Sequence, residues 1–173
     1  FCPVTGEQAV RESFRKMDMQ YKISRTLGNI YLSPRPAMNV LNTFYRNSRA
    51  RKFWLNELWS QTQDVRQDKI ILPQLEWSHG FISQYLSESK LLMAEFLPNH
   101  WGYYQGARNL WPEAAYKLVE PLFDLDISDS KISASNIIDD SSSSTLDAAF
   151  LFEALDRSPE PLLILRKVAS VLK

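Results

Sequence analysis

Cysteine occurs once in this 173-residue chain, as Cys2, which excludes an internal disulfide framework and any thiolate zinc site built within one chain. Histidine occurs twice, as His79 and His100, and neither has a glutamate or second histidine at zinc-protease spacing. Glycine occurs five times, and no phosphate-cradling P-loop is formed from it. No apolar run approaches the length of a membrane span, no Asn-x-Ser/Thr sequon is present, and no signal-peptide pattern opens the chain. A cytoplasmic setting is the resulting expectation. What is present is 45% hydrophobic and 23% charged residues, too apolar for intrinsic disorder and ordinary for a globular protein. The length suits one domain, or one domain with a small appendage.

The 20 bases and 20 acids balance, but they are unevenly spread. Residues 1–60 hold ten bases against four acids, and the remainder ten against sixteen, so the two parts carry +6 and −6. Such asymmetry marks an anionic partner for the first part or, more commonly, two segments that attract each other.

Three segments follow from the local grammar. Residues 1–35 read as short extended pieces and turns, with turns at Cys2–Gly6 and Leu27–Asn29 and a strand at Ile30–Leu32, stopped by Ser33-Pro34-Arg35-Pro36. A helix from Glu7 to Met17, with Thr5 and Gln8 at capping-box spacing, competes with this reading. Residues 36–89 read as helical: a first helix after Pro36 through Met38, Leu41 and Tyr45, a second around Phe53–Trp59, and a third from Val65 to Leu86, interrupted at Pro73 and loosened at Gly80. From residue 90 to 173 the pattern becomes α/β. Strand candidates are Leu91–Ala94, Tyr116–Val119, a weaker Ile132–Ile138, and Leu146–Phe152. A final helix follows, with Ser158 as cap, Pro159 at the first helical position, and Leu162, Leu165, Val168, Ala169 and Leu172 as its stripe. Strands separated by crossovers predict a parallel sheet, and the Ser-rich stretch 128–145 reads as surface loop.

Several patches stand in the order of one family. Cys2-Pro3-Val4-Thr5-Gly6, Leu27-Gly28, Ile30-Tyr31-Leu32-Ser33-Pro34-Arg35-Pro36 and Phe44-Tyr45 come first; Leu146–Phe152 then leads into Glu153-Ala154-Leu155-Asp156-Arg157-Ser158-Pro159-Glu160-Pro161, and Val171-Leu172-Lys173 closes. Together these resemble class I S-adenosylmethionine-dependent methyltransferases that carry an N-terminal cysteine-knuckle (zinc-ribbon-like) segment. The resemblance implies a degenerate ribbon over 1–35, a helical section over 36–89, and a partial Rossmann-like methyltransferase domain over 90–173. It also implies a cofactor site at the ends of the strands. Glu120, after the second strand, stands where the family holds the ribose hydroxyls, a task suited to a carboxylate that accepts two hydrogen bonds. Asp139, with Asp140 beside it, stands where an adenine amino group would be met; Glu153 would line the pocket, and Gly102, with Gly106, would be a remnant of the glycine-rich turn.

This sequence departs from the family in three places. The four knuckle positions hold Cys2, Thr5, Ser24 and Leu27, and leucine is no ligand, so no zinc is expected and packing alone must hold the ribbon. Where the family has a glycine-rich turn, this chain has Glu95-Phe96-Leu97-Pro98-Asn99-His100-Trp101-Gly102, whose bulk would occupy cofactor volume. The family's Glu-His histidine is Arg157, and no Pro-Gly-Gly follows Lys173, so a fragment, or completion of the sheet by another chain, is expected. The reading is a methyltransferase-like protein with a degenerate cofactor site and another protein chain as partner. An active enzyme using S-adenosylmethionine through an altered turn is the alternative. No acceptor is identified. A third reading takes residues 44–54, where Arg46, Arg49, Arg51 and Lys52 interleave with Phe44, Tyr45, Phe53 and Trp54, as a nucleic-acid grip. A solvated helix face over an apolar stripe makes that pattern far more often.

Overall fold

The computed structural model describes residues 1–86, 90–121, 132–135 (backbone only) and 146–173. Asp139, Asp140, most of the Ser-rich stretch and the end of the Ile132–Ile138 strand candidate lie outside the described residues.

The first 35 residues are extended, and the competing helix over Glu7–Met17 does not form. Strands β1 (Val10–Lys16), β2 (Met19–Ser24) and β3 (Ile30–Leu32) make an antiparallel sheet in sequence order. The β1–β2 hairpin turns on Met17 and Asp18, both at positive φ, the geometry whose twist suits a two-residue connection. Packing is not the only thing that holds this ribbon, contrary to expectation. Its two knuckle turns are built alike from hydrogen bonds. The Cys2 carbonyl accepts from Gly6 N–H at 2.9 Å, and the Ser24 carbonyl from Gly28 N–H at 3.1 Å. Gly6 and Gly28 sit at φ 71° and 69°, where a side chain would be strained. Within each turn the first side chain accepts from the backbone three residues on: Cys2 Sγ from Thr5 at 3.5 Å, Ser24 Oγ from Leu27 at 3.0 Å.

The helical section begins with α1 (Met38–Asn47), whose N-cap is Ala37, so Pro36 lies just outside the first turn rather than in it. Ser48 then caps α2 (Arg49–Phe53) by accepting from Arg51 N–H at 3.1 Å. From there the chain stays helical through α3 (Ser60–Arg66) to α4 (Leu72–Ile82), with wider π-helical turns at Trp54–Trp59 and Gln67–Ile71. Pro73 does not interrupt it: it lies in the first turn of α4, directly after the second π segment, where its missing N–H breaks no regular ladder.

The remainder is mixed α/β. Strands β4 (Leu92–Phe96), β5 (Ala115–Val119), β6 (Ile132–Ser135) and β7 (Ala148–Phe150) form a parallel sheet in the order β6-β5-β4-β7. Helix α5 (Gly102–Leu110) connects β4 to β5, and α6 (Pro161–Val171) follows β7. Side chains alternate across the sheet. Met93, Tyr116, Leu118 and Phe150 pack with Trp59, Ile71, Leu75 and Tyr103 on one face. Ala94, Phe96 and Val119 pack with Ile164 and Val168 on the other. Both faces are covered, which is why the strands read as near-continuous apolar runs.

The last helix starts two residues later than its caps suggested. Ser158 Oγ accepts from Glu160 N–H in a preceding turn, so Pro161 rather than Pro159 takes the first helical position. Its buried face is Ile164 and Val168, while Leu165 and Leu172 of the expected stripe are exposed. Leu172 bridges in parallel to Leu146, directly before β7.

Candidate functional site

In a parallel sheet every strand ends on the same side, and ligands of such sheets bind there, where the strand order reverses. Here β4, the first strand of this sheet in the chain, has β5 and then β6 on one flank and β7 on the other, so the crevice lies beyond β4 and β7. Three chain exits there share one feature: Leu97 and Glu120, the residues just past β4 and β5, and Glu153, in the turn after β7, have φ of 53°, 50° and 49°. Non-glycine residues rarely adopt this left-handed conformation, and strained positions cluster at functional sites.

The turn after β4 is densely filled. His100 is 4% exposed, its ring stacked 3.8 Å from Trp59 and 5.5 Å from Tyr103, which stacks in turn on Phe152 at 4.0 Å. His100 Nδ1 accepts from Gly102 N–H at 3.1 Å, so the proton of the neutral ring is on Nε2. Burial, then the charges of Arg157, Arg51 and Arg66, lower its pKa to about 3. The imidazole is therefore neutral, and its 3.9 Å approach to Glu153 is a dipolar contact rather than an ion pair.

Around it lie cations. Arg51 is buried, donates to the Asn99 carbonyl and stacks 5.0 Å over Trp54. Arg157 donates to the Leu97 carbonyl at 3.2 Å and comes within 3.8 Å of Glu153. Burial and the charge of Arg157 both push the Arg51 pKa down. Beneath the cluster, on β4, Glu95 is fully buried and accepts from the Tyr116 hydroxyl at 3.2 Å. Burial raises its pKa to about 8, so it carries its proton at neutral pH.

Of the residues the sequence singled out, Glu120 and Glu153 do stand at strand exits on this side of the sheet, and Asp139 lies outside the described residues. Gly102 is at the start of α5, and a Cβ placed there would lie 2.5 Å from Ile71 Cδ1, 3.1 Å from His100 Nδ1 and 3.3 Å from Gln67 Oε1. A Cβ on Gly106 would lie 2.5 Å from Leu75 Cδ1. Both glycines thus let the helical section approach α5 closely.

Glu95, Tyr116, Trp59 and the inward Arg51 escaped the sequence reading. Glu95 adjoins an apolar run as Lys90, Glu120 and Glu153 also do, and Arg51 was hidden in the basic aromatic segment. In that segment Arg46, Arg49 and Lys52 are exposed and Tyr45 and Trp54 partly buried, as a solvated face over an apolar stripe would have them, but Arg51 is inside and Phe44 and Phe53 are half exposed. Among the described residues, no group of three or more His, Cys, Asp or Glu side chains is placed to hold a metal, and no helix is long and apolar enough to cross a membrane.

Fold and site together define a mixed α/β protein whose parallel sheet ends in a crevice packed with its own aromatic and cationic side chains. Compared with known protein families, characterised proteins and solved structures, the chain matches none.

Proposed function

We propose that this chain is a methyltransferase-like protein whose cofactor site is filled by its own helical section, and that it acts as a structural or regulatory partner of another protein chain in the cytoplasm. The observation that carries this reading is the packing at the turn after β4. Trp59 stacks on His100, and Ile71 fills the space any side chain at Gly102 would take. A glycine-rich cofactor turn works by leaving that space empty so that the ligand approaches the backbone. The sheet order and the ribbon turns at Cys2 and Ser24 fit the resemblance, while the chemistry at both places has been replaced.

The opposite reading, an active enzyme, is favoured by one observation. The left-handed exits at Leu97, Glu120 and Glu153 give this crevice a backbone shaped like a ligand site, and Glu120 keeps a carboxylate there. Methyl transfer mainly requires aligned reactants, so a neutral, stacked His100 would not forbid it. Calorimetric titration with S-adenosylmethionine and S-adenosylhomocysteine separates the two. The filled-site reading expects no heat at roughly 1 mM of either ligand, about −4 kcal/mol or weaker. Micromolar binding of both overturns it in favour of the enzyme.

A further inference from the structure

The ribbon, α1 and the segment leading into α6 enclose a cleft of about 650 Å³ on the flank of the sheet domain. Its walls are apolar: Ile30 and Leu32 from the ribbon, Leu41 from α1, Leu162 and Leu165 from α6. That volume lies within the roughly 300–1,000 Å³ typical of small-molecule sites. Two guanidinium groups border it, Arg35 and Arg157, against a single lining carboxylate, Asp156, which is exposed to solvent. Among the described residues no carboxylate pairs with Arg35, which donates instead to the Pro159 carbonyl. Arg157 has an Nε that is buried without a partner, and its charge lies 5.9 Å over the Tyr45 ring. A smaller cavity shares Leu41, Tyr45, Arg157 and Ser158 with the cleft and reaches Leu97 at the end of β4.

We infer that this cleft binds a small organic anion with an apolar body, of the aryl- or alkyl-carboxylate class. Its apolar body would cover the Leu and Ile walls, and its carboxylate would meet the Arg35 guanidinium, with the charge of Arg157, already within 3.8 Å of Glu153, beside it. Guanidinium is the group best matched to a carboxylate, donating to its two oxygens side by side. The ribbon supplies one wall, which gives that segment a role that needs no metal. The inference does not depend on whether S-adenosylmethionine binds at the strand ends.

The test is an NMR titration of the intact chain with 4-phenylbutyrate and, separately, with 4-phenylbutyramide, which has the same shape and no charge. The acid is expected to shift amides of residues 30–45 and 155–165 with a dissociation constant on the order of 100 µM, and the amide to bind at least about fivefold more weakly. Arg35→Gln should weaken the acid and leave the amide unchanged. Leu162→Trp and Leu41→Trp, which fill the cleft from facing walls, should each abolish the shifts while the spectrum stays dispersed. The proposal falls if the acid gives no saturable shifts at about 10 mM. It also falls if acid and amide bind equally, or if a folded filled-cleft variant binds like the parent.

Discussion

The ribbon and the strand-end cluster satisfy their polar groups by opposite means. In the ribbon, each acceptor meets a donor of the same small sheet: Cys2 takes Thr5 and Ser24 takes Leu27, three residues on, and Glu7 takes Thr26, 19 residues on, through both carboxylate oxygens at 3.2 and 2.7 Å. The first two are short in sequence, and the third lies open to solvent. At the strand ends, Arg51, Trp59, Glu95, His100, Tyr116 and Arg157 come from across the chain and are mostly buried. There the charged forms are suppressed: His100 is neutral and Glu95 protonated. The ribbon's bonds hold its two turns and tie one to the other, whereas the cluster fastens the helical section to the sheet. Damage to the first should stay local and damage to the second should spread.

The sharpest way to break this comparison is Trp59→Ala. The ring is 8% exposed, stacks on His100 and packs in the same core as Ile71, Leu75 and Met93. Removing it should cost about 3–5 kcal/mol, as for large aromatic truncations elsewhere, and lower the unfolding midpoint of helices and sheet together. Chemical denaturation followed by far-UV and near-UV signals should show one shifted transition. Loss confined to the helical signal would mean that the cluster does not couple the two parts.

The pH dependence of stability sharpens the contrast further. Glu95 holds its proton in the fold up to about pH 8 but loses it near 4.5 when unfolded, so unfolding releases a proton and stability falls as pH rises between those values. His100 is neutral in the fold down to about pH 3 but gains a proton near 6.5 when unfolded, so stability falls as pH drops between those values. Between pH 4.5 and 6.5 the two slopes oppose each other and stability should be nearly level. Above 6.5 Glu95 acts alone only to about pH 7, where the Cys2 thiol, lowered to about 7 from 9, begins to add stability as pH rises. Under about 1 kcal/mol should be lost by pH 7, and the curve should then level. Below 4.5 His100 acts with Asp147, whose carboxylate is held down by the Leu92 N–H and by Lys173, and with Glu7, held down to about 2. Glu95→Gln should remove the alkaline loss in urea titrations run across this range. An unchanged alkaline slope would place its source elsewhere.

What could be read from the sequence was whatever repeats within a few residues. The β4, β5 and β7 runs, the Cys2–Gly6 and Leu27–Asn29 turns and the helix after Pro36 all announced themselves through local spacing. Pro159 and Pro161 offered two equivalent starts for α6, and the Ser158 turn decided between them only through its bond to Glu160. Pro73 read as a break because a regular helix cannot lose an N–H, and a π segment before it was invisible in side-chain periodicity. The strand exits at Glu120 and Glu153 followed from strand position. The buried members of the site did not. A charge such as Glu95 or Arg51 gives no local sign of burial, because its partners Tyr116 and Asn99 lie 21 and 48 residues away.

The smallest expected effect tests the ribbon's half of the comparison. Ser24 is fully buried, and its hydroxyl accepts the Leu27 N–H at 3.0 Å, the position where a metal-binding knuckle would place a thiolate. Ser24→Ala leaves the volume nearly unchanged and orphans that one amide, so it should cost about 1 kcal/mol. The loss should appear as faster hydrogen exchange at Leu27 and Gly28, with β4 and β5 amides unchanged. Because the Ser24 hydroxyl is the largest influence holding the Glu7 carboxyl down to about 2, the same variant should raise the Glu7 pKa toward its ordinary value. NMR titration of the Glu7 carboxyl reads this directly. If exchange instead quickened throughout the parallel sheet, the ribbon turns would be part of the core's cooperative unit, and the two regions would differ in chemistry alone.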